Sequence, residues 1–193
     1  MVFWMASGAG MAIAYLLGSI PSGYLAGRLL KGIDIREHGS KSIGATNVLR
    51  TLGKWPAAAV LTADVLKGVA AIVFAGWFYA WLCKVAPPPT LEPHAGAPGA
   101  ICLAGLAALL GHARSIWLNF AGGKSVATGL GVLLAISWPV GLGALAVFAM
   151  VVAIFRRVSL GSLLAALTAI GLIFVFEKPA PYRLLIVAGG LYV

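Results

Sequence analysis

The run VATGLGVLLAISWPVGLGALAVFAMVVAIF, residues 126–155, carries no charged side chain. It admits two readings: one long membrane span, or two short ones divided at Trp138-Pro139, where proline removes a helical N–H. The flanking charges choose between them. Arg28, Lys31, Arg36, Lys41, Arg50, Lys54, Arg114, Lys124, Arg156 and Arg157 fall in three polar breaks and, with Asp34 and Glu37, net +8. Lys84, Lys178 and Arg183, with Glu92 and Glu177, net +1 in the intervening breaks, and Asp64 cancels Lys67 inside a span, which completes the formal +9. Positive charge collects on the cytoplasmic side of a membrane. A single span over 126–155 would carry Arg156 and Arg157 to the other side, so two spans are expected.

The rest of the chain follows the same pattern. Of its 193 residues, 61% are hydrophobic and only 10% charged, too few charges to cover a water-soluble domain of this size. Met1 to Gly27 is uncharged and forms about 40 Å of helix, enough to cross a bilayer core. It lacks the basic leader of a cleaved signal peptide. Its positive charges come afterwards, so the N-terminus is expected outside, and Pro21 should kink or break the inner end. The expected plan is an all-α integral membrane protein of seven transmembrane helices with a cytoplasmic-side active site. Its spans cover 1–30, 55–83, 97–118, 126–137, 139–155, 160–176 and 181–193, the last cut short. A polar loop fills 31–54 and a glycine-rich loop 119–125. The proline-rich segment from Lys84 to Ala100 reads as an external loop, with His94 solvated. Cys83 and Cys102 are the only cysteines, which excludes a disulfide framework or a cysteine zinc site.

Chemistry gathers at Asn119 to Gly131. Gly122 and Gly123 lack a Cβ, so their amides can turn toward a bound group. Lys124 adds a point charge, and Ser125 offers a hydroxyl donor or a cap. A helix N-terminus at Val126 would favour an anion. The alternative is a plain glycine-rich turn at a membrane boundary. A nucleotide-binding P-loop fails by spacing, since it needs a glycine where Leu118 stands. Within 31–54, residues 43–52 fit a short interfacial helix with Asn47 and Arg50 one turn apart on one face. Asp64 and Lys67, three apart inside a span, are either a self-satisfying ion pair or a support for the active site.

Packed together, the three basic breaks offer Ser40, Asn47, Arg50, His112, Lys124, Ser125 and Ser159 plus glycine amides. That set is rich in anion donors and poor in metal ligands, so no metal or cofactor is expected. No Ser-His-Asp spacing is evident, and the His-x4-Asp signature of another acyltransferase class is absent. No basic groove interleaved with aromatics suggests nucleic acid. The donors point to a phosphorylated substrate at the inner leaflet.

Three stretches resemble the bacterial acyl-phosphate:glycerol-3-phosphate acyltransferases, the PlsY family: Gly18-Ser19-Ile20-Pro21-Ser22-Gly23-Tyr24, residues 32–40, and Ile43-Gly44-Ala45-Thr46-Asn47-Val48-Leu49-Arg50. Asp64-Val65-Leu66-Lys67-Gly68, the loop from Gly122 to Thr128, and residues 157–162 are similar as well. The resemblance implies seven helices and transfer of a fatty acyl group from acyl phosphate to the first hydroxyl of glycerol 3-phosphate. Lysophosphatidic acid and phosphate would be released at the inner membrane of a bacterial cell, opening phospholipid synthesis. It implies catalytic roles for Ser40, Arg50, His112 and Lys124, and substrate binding by Asn47, Gly122, Gly123, Ser125, Thr128 and Ser159. His112 is the candidate base, with an orienting hydrogen bond as the alternative and the acceptor's own phosphate as another proton acceptor. Two departures stand out. The family's Gly-Gly-Lys-Gly is Gly-Gly-Lys-Ser here, and the family's His-Arg-Glu-Asn motif, implicated in acceptor binding, lies past the point where this sequence stops. The alternative function is a small transporter of phosphate esters or other anions, which would share the basic mouth and interrupted helices.

Overall fold

In a computed structural model of the chain, residues 2–87 and 97–192 are described. The middle of the expected external loop, His94 included, lies outside them. Nine helices are present among the described residues, and no strand: α1 Val2–Ser19, α2 Ser22–Lys31, α3 Ala45–Thr51, α4 Lys54–Val85, α5 Ala97–Ala113, α6 Val126–Ile136, α7 Trp138–Phe155, α8 Val158–Val175 and α9 Ala180–Tyr192. Single 3-10 turns occupy Ile35–Glu37 and Ile116–Leu118.

Local chemistry sets the breaks. Pro21 offers no N–H, so α1 stops at Ser19 and α2 restarts at Ser22. The long apolar run divides at Ser137, which is extended, and Pro139 enters the first turn of α7, where a missing donor costs nothing. Five segments among the described residues are long and apolar enough to cross a membrane: Met5–Lys31, Lys54–Val85, Pro98–Leu118, Trp138–Phe155 and Val158–Val175. The apolar α6 and α9, of 11 and 13 residues, are shorter.

The long α4 packs against α1, α2, α3, α5 and α6, while α7, α8 and α9 form a neighbouring group that meets it through α5 and α6. Two crossings are close enough to exclude any side chain. A Cβ at Gly18 would strike the Ala108 carbonyl and one at Gly111 the Tyr15 carbonyl, so α1 lies directly on α5. A Cβ at Gly68 would strike the Thr128 carbonyl and one at Gly131 the Val65 carbonyl, so α4 lies directly on α6. Small residues permit such backbone contact, the usual device for helices in lipid. Large apolar side chains such as Leu66, Val73, Trp77, Ile154 and Val175 point outward instead, as lipid-facing surfaces require.

The polar stretch 31–54 is a folded cap over one end of this bundle. Asp34 caps the 3-10 turn by accepting from the Arg36 amide at 3.0 Å. Its carboxylate also takes the Arg36 guanidinium through Nε at 3.0 Å and a second nitrogen at 2.7 Å. The Tyr24 ring lies under both Arg28 and Arg36, 5.3 and 5.1 Å from its centroid. Asn47, 1% exposed, is the central staple: its Oδ1 accepts from the Ser40 amide at 2.8 Å, and its Nδ2 donates toward the carbonyls of Ile35, His38 and Ser42 at 2.8–3.1 Å. The sequence places Asn47 and Arg50 on one face of α3; instead Asn47 turns inward to these carbonyls while Arg50 is exposed. The buried amide satisfies loop groups that have no water to turn to, and that requirement decides its direction.

Asn47→Ala removes these bonds and strips the Ser40 amide and the Ser42 carbonyl of their partner, while the Ile35 and His38 carbonyls keep backbone donors. It should therefore destabilise the cap by about 2–4 kcal/mol, read as faster proteolysis within 36–46. The Arg36 hydrogen bonds hold the Asp34 carboxyl down at about 2 from an ordinary 3.8. A carboxylate depressed in the folded state stabilises above its unfolded value and loses that contribution as pH falls toward its folded value. The stability gap between the protein and Asp34→Asn should therefore be constant above about pH 5 and shrink steadily toward pH 2. A gap independent of pH would refute the pairing.

Candidate active site

At the end of the bundle beneath the cap, four helices meet in a buried polar cluster. Asp64, Lys67 and His112 are 1%, 6% and 4% exposed. Lys67 Nζ lies 2.8 Å from Asp64 Oδ1 and donates to the Ile20 carbonyl at 2.9 Å, at the break between α1 and α2. The Ser22 hydroxyl, first in α2, donates to the same Asp64 oxygen. His112 Nδ1 is 3.7 Å from that oxygen and 3.1 Å from the Thr128 hydroxyl on α6. Asp64 and Lys67 thus pair with each other, and they also reach groups at the α1–α2 break and on α5. Nearby, the Ser115 hydroxyl donates to the Ser19 carbonyl at 2.6 Å and the Tyr15 hydroxyl to the Arg114 carbonyl at 2.6 Å.

The glycine-rich loop is moulded onto the C-terminal end of α5. The Gly123 amide donates to the His112 carbonyl at 3.1 Å, and the Ser125 hydroxyl donates to the Leu109 carbonyl at 2.8 Å. A Cβ at Gly122 would strike the His112 carbonyl, and one at Gly123 would strike His112 Nε2 and lie 3.4 Å from Ile43 Cγ1. The expected cradle is therefore corrected in its parts. The paired glycines serve close approach to α5, and the Gly123 amide already has an internal acceptor. Ser125, 4% exposed and left-handed at φ 57°, directs its hydroxyl inward and makes no side-chain cap. Thr128, fully buried, is engaged with His112 rather than facing outward. The α6 N-terminus does start at Val126, and Lys124 beside it is exposed. The outward-directed groups at this end of the loop are thus the Lys124 ammonium and the first turn of α6, whose leading amides have no acceptor within the helix.

Since a Cβ added at Gly123 would come within 3.4 Å of Ile43, this loop lies beside the cap that carries Ser40 and Arg50, both exposed. Three sequence-predicted residues, Ser40, Arg50 and Lys124, therefore present side chains outward from two adjoining loops. Three others, Asn47, Ser125 and Thr128, use theirs inside the protein. Ser159 stands exposed in the first turn of α8, whose main packing partners are α7 and α9, and no bond among the described residues ties it to the two loops. The sequence gives no individual role to Ser22, Tyr15 or Ser115; the signals at Ser22 are its place just after the helix-breaking Pro21 and inside the family-like stretch Gly18 to Tyr24. No cluster of three metal-ligating side chains occurs among the described residues. An apolar cavity of about 350 Å³ adjoins the α1–α2 break, lined by Ile20, Pro21, Tyr24, Leu25, Trp117 and Leu118.

Comparison with known proteins gives this geometry its setting. The family model described as glycerol-3-phosphate acyltransferase matches residues 9–193. A relative from Rhizobium johnstonii, glycerol-3-phosphate acyltransferase 2, is 68% identical over 196 aligned residues, covering all of this chain and 90% of the relative. A glycerol-3-phosphate acyltransferase from Nostoc sp. is 54% identical, covering all of this chain and 86% of its own. The crystal structure of PlsY, an integral membrane glycerol 3-phosphate acyltransferase, in its glycerol 3-phosphate form superposes with a TM-score of 0.80 at 34% identity, covering 96% of this chain and 85% of that one. Its lysophosphatidic acid form superposes at 0.77 and 33% identity, with the same coverage. With five helices able to span a bilayer, the fold is that of an integral membrane protein. The chain belongs to the glycerol-3-phosphate acyltransferase family.

Proposed function

We propose that the protein transfers a fatty acyl group from acyl phosphate to the sn-1 hydroxyl of glycerol 3-phosphate, giving lysophosphatidic acid and inorganic phosphate. The reading rests above all on the match of the whole chain to glycerol-3-phosphate acyltransferases, joined to one feature of the site: Arg50 and Lys124 are exposed on two segments that lie side by side near Ile43 and Gly123. In this reading all seven apolar segments traverse the bilayer. The N-terminus lies outside, and the basic loops face the cytoplasm of a bacterial inner membrane, because the cationic excess gathers at their end. The short α6 crosses within the bundle, against α4, α5 and α7.

The chemistry needs little from the protein beyond placement. Acyl phosphate is a mixed anhydride with a good leaving group. The sn-1 hydroxyl oxygen bonds to the acyl carbon, the bond from that carbon to the bridging oxygen breaks, and phosphate leaves with the electron pair. Two phosphate-bearing substrates repel one another unless cations gather them, and Lys124 with the first-turn amides of α6 holds one while Arg50 and Ser40 hold the other. Ser159 assists from the start of α8. Gly122, Gly123, Ser125 and Asn47 contribute by shaping these loops. The hydroxyl proton passes to the acceptor's own phosphate; His112, enclosed and bonded to Thr128, orients the loop. The apolar cavity beside Pro21 and Trp117 receives the acyl chain from the bilayer.

Purified protein offered acyl phosphate, acyl-CoA or acyl carrier protein with glycerol 3-phosphate should make lysophosphatidic acid from acyl phosphate alone, with one phosphate released per product. Arg50→Ala and Lys124→Ala should each cut kcat/KM by about 100-fold or more, the scale seen when one charge-stabilising donor is removed. Near-normal turnover of both variants would remove the mechanism.

A further inference from the structure

The buried cluster of Asp64, Lys67 and His112 does no chemistry in the reaction just proposed, yet its construction is specific. Lys54 opens α4 and Asp64 lies about 15 Å further along it at helical rise, where unpaired charge is expensive. A buried ion pair gives weak support to stability, since apolar residues of equal shape often replace it without loss. Its geometry shows a different use. Both members reach beyond each other: Lys67 to the Ile20 carbonyl at the α1–α2 break, which also takes the Ser22 amide at 3.1 Å, and Asp64 to Ser22 and toward His112. His112 then bounds the glycine-rich loop twice. Its carbonyl takes the Gly123 amide just before Lys124, and its Nδ1 meets the Thr128 hydroxyl just after it. A Cβ on Gly123 would lie 3.4 Å from Ile43 of the cap that bears Arg50, and a Cβ on Gly23 of α2 would strike the Ile43 carbonyl. The cluster therefore touches the supports of both loops, through α2 on one side and His112 on the other.

We propose that the Asp64–Lys67 pair is a positioning device for acyl transfer: it locks the α1–α2 break and, through His112 and Thr128, sets the register of the Lys124 loop against the Arg50 cap. The proposal rests on the acyltransferase reading for its kinetic consequence and on the loop contacts alone for its structural one. The neutral, similarly shaped double variant Asp64→Asn/Lys67→Met leaves the net charge unchanged, so any effect comes from lost geometry rather than from a weaker long-range field. In purified full-length protein kcat should fall by about 10- to 100-fold with KM for glycerol 3-phosphate within about threefold, because misplacement of bound reactants acts on the reacting geometry more than on occupancy. Amide hydrogen exchange over 122–128 should accelerate by at least about tenfold as the local opening energy drops. Should the double variant not fold, Thr128→Val, which loses the hydroxyl, should slow turnover about tenfold while Thr128→Ser, which keeps it, stays near the parent rate. An unchanged kcat per folded molecule with unchanged loop exchange, or equal behaviour of the two Thr128 variants, overturns the proposal. If the parent protein transfers no acyl group, the acyltransferase reading fails, and the exchange measurement still decides whether the pair holds the loop.

Discussion

A carboxylate and an ammonium buried inside a lipid-embedded bundle must meet each other or another polar group, because no water is there to receive them. Asp64 and Lys67 obey that constraint with a 2.8 Å contact, and the groups left over fix the surroundings. Lys67 finds the Ile20 carbonyl at the break between α1 and α2, an acceptor it shares with the Ser22 amide. Asp64 takes the first hydroxyl of α2 and faces the last turn of α5. One ion pair thereby joins α1, α2, α4 and α5 at the level from which both functional loops emerge.

The loops around that platform are held by both polar and apolar contacts. The cap over 31–54 is held by polar staples, Asn47 on three carbonyls and an amide, and Asp34 on Arg36. Apolar anchoring comes from Ile35, Ile43 and Val48 packed with Ala57, Val60 and Leu118. The glycine-rich loop is held by hydrogen bonds to two α5 carbonyls and by backbone contact too close for any side chain. Inward-directed polar groups tie these loops to the bundle, while Ser40, Arg50 and Lys124 are left exposed, free to meet the phosphates in the proposed reaction. Fixed cations cost no reorganisation when charge moves in a transition state.

The same closeness governs the helices. Gly18 and Gly111 let α1 touch α5, and Gly68 and Gly131 let α4 touch α6. Lipid supplies no hydrophobic drive between helices, so dispersion across such tight contacts carries the association. Alanines dominate the interior between α1, α4 and α5, among them Ala14, Ala71, Ala75, Ala104 and Ala108, and bulky side chains are left for the outside.

Much of this was legible in the chain itself. Apolar run length and charge placement depend on local composition, so the helical membrane character, the break near Trp138-Pro139 and the kink at Pro21 could be read directly. The start of α6 at Val126 and the exposure of Lys124 followed from the glycine pair and the apolar onset. Side-chain direction was not legible, because it depends on which carbonyl lies opposite after packing. Asn47, Ser125 and Thr128 have the right chemistry for phosphate, and nothing in their sequence positions tells that Ile35, Leu109 and His112 will claim them first. Nor could the spacing of Gly122 and Gly123 distinguish amides offered to a ligand from backbones pressed onto α5. Residue chemistry tells which groups need partners; packing chooses those partners, since a buried donor takes the nearest acceptor that the fold brings to it.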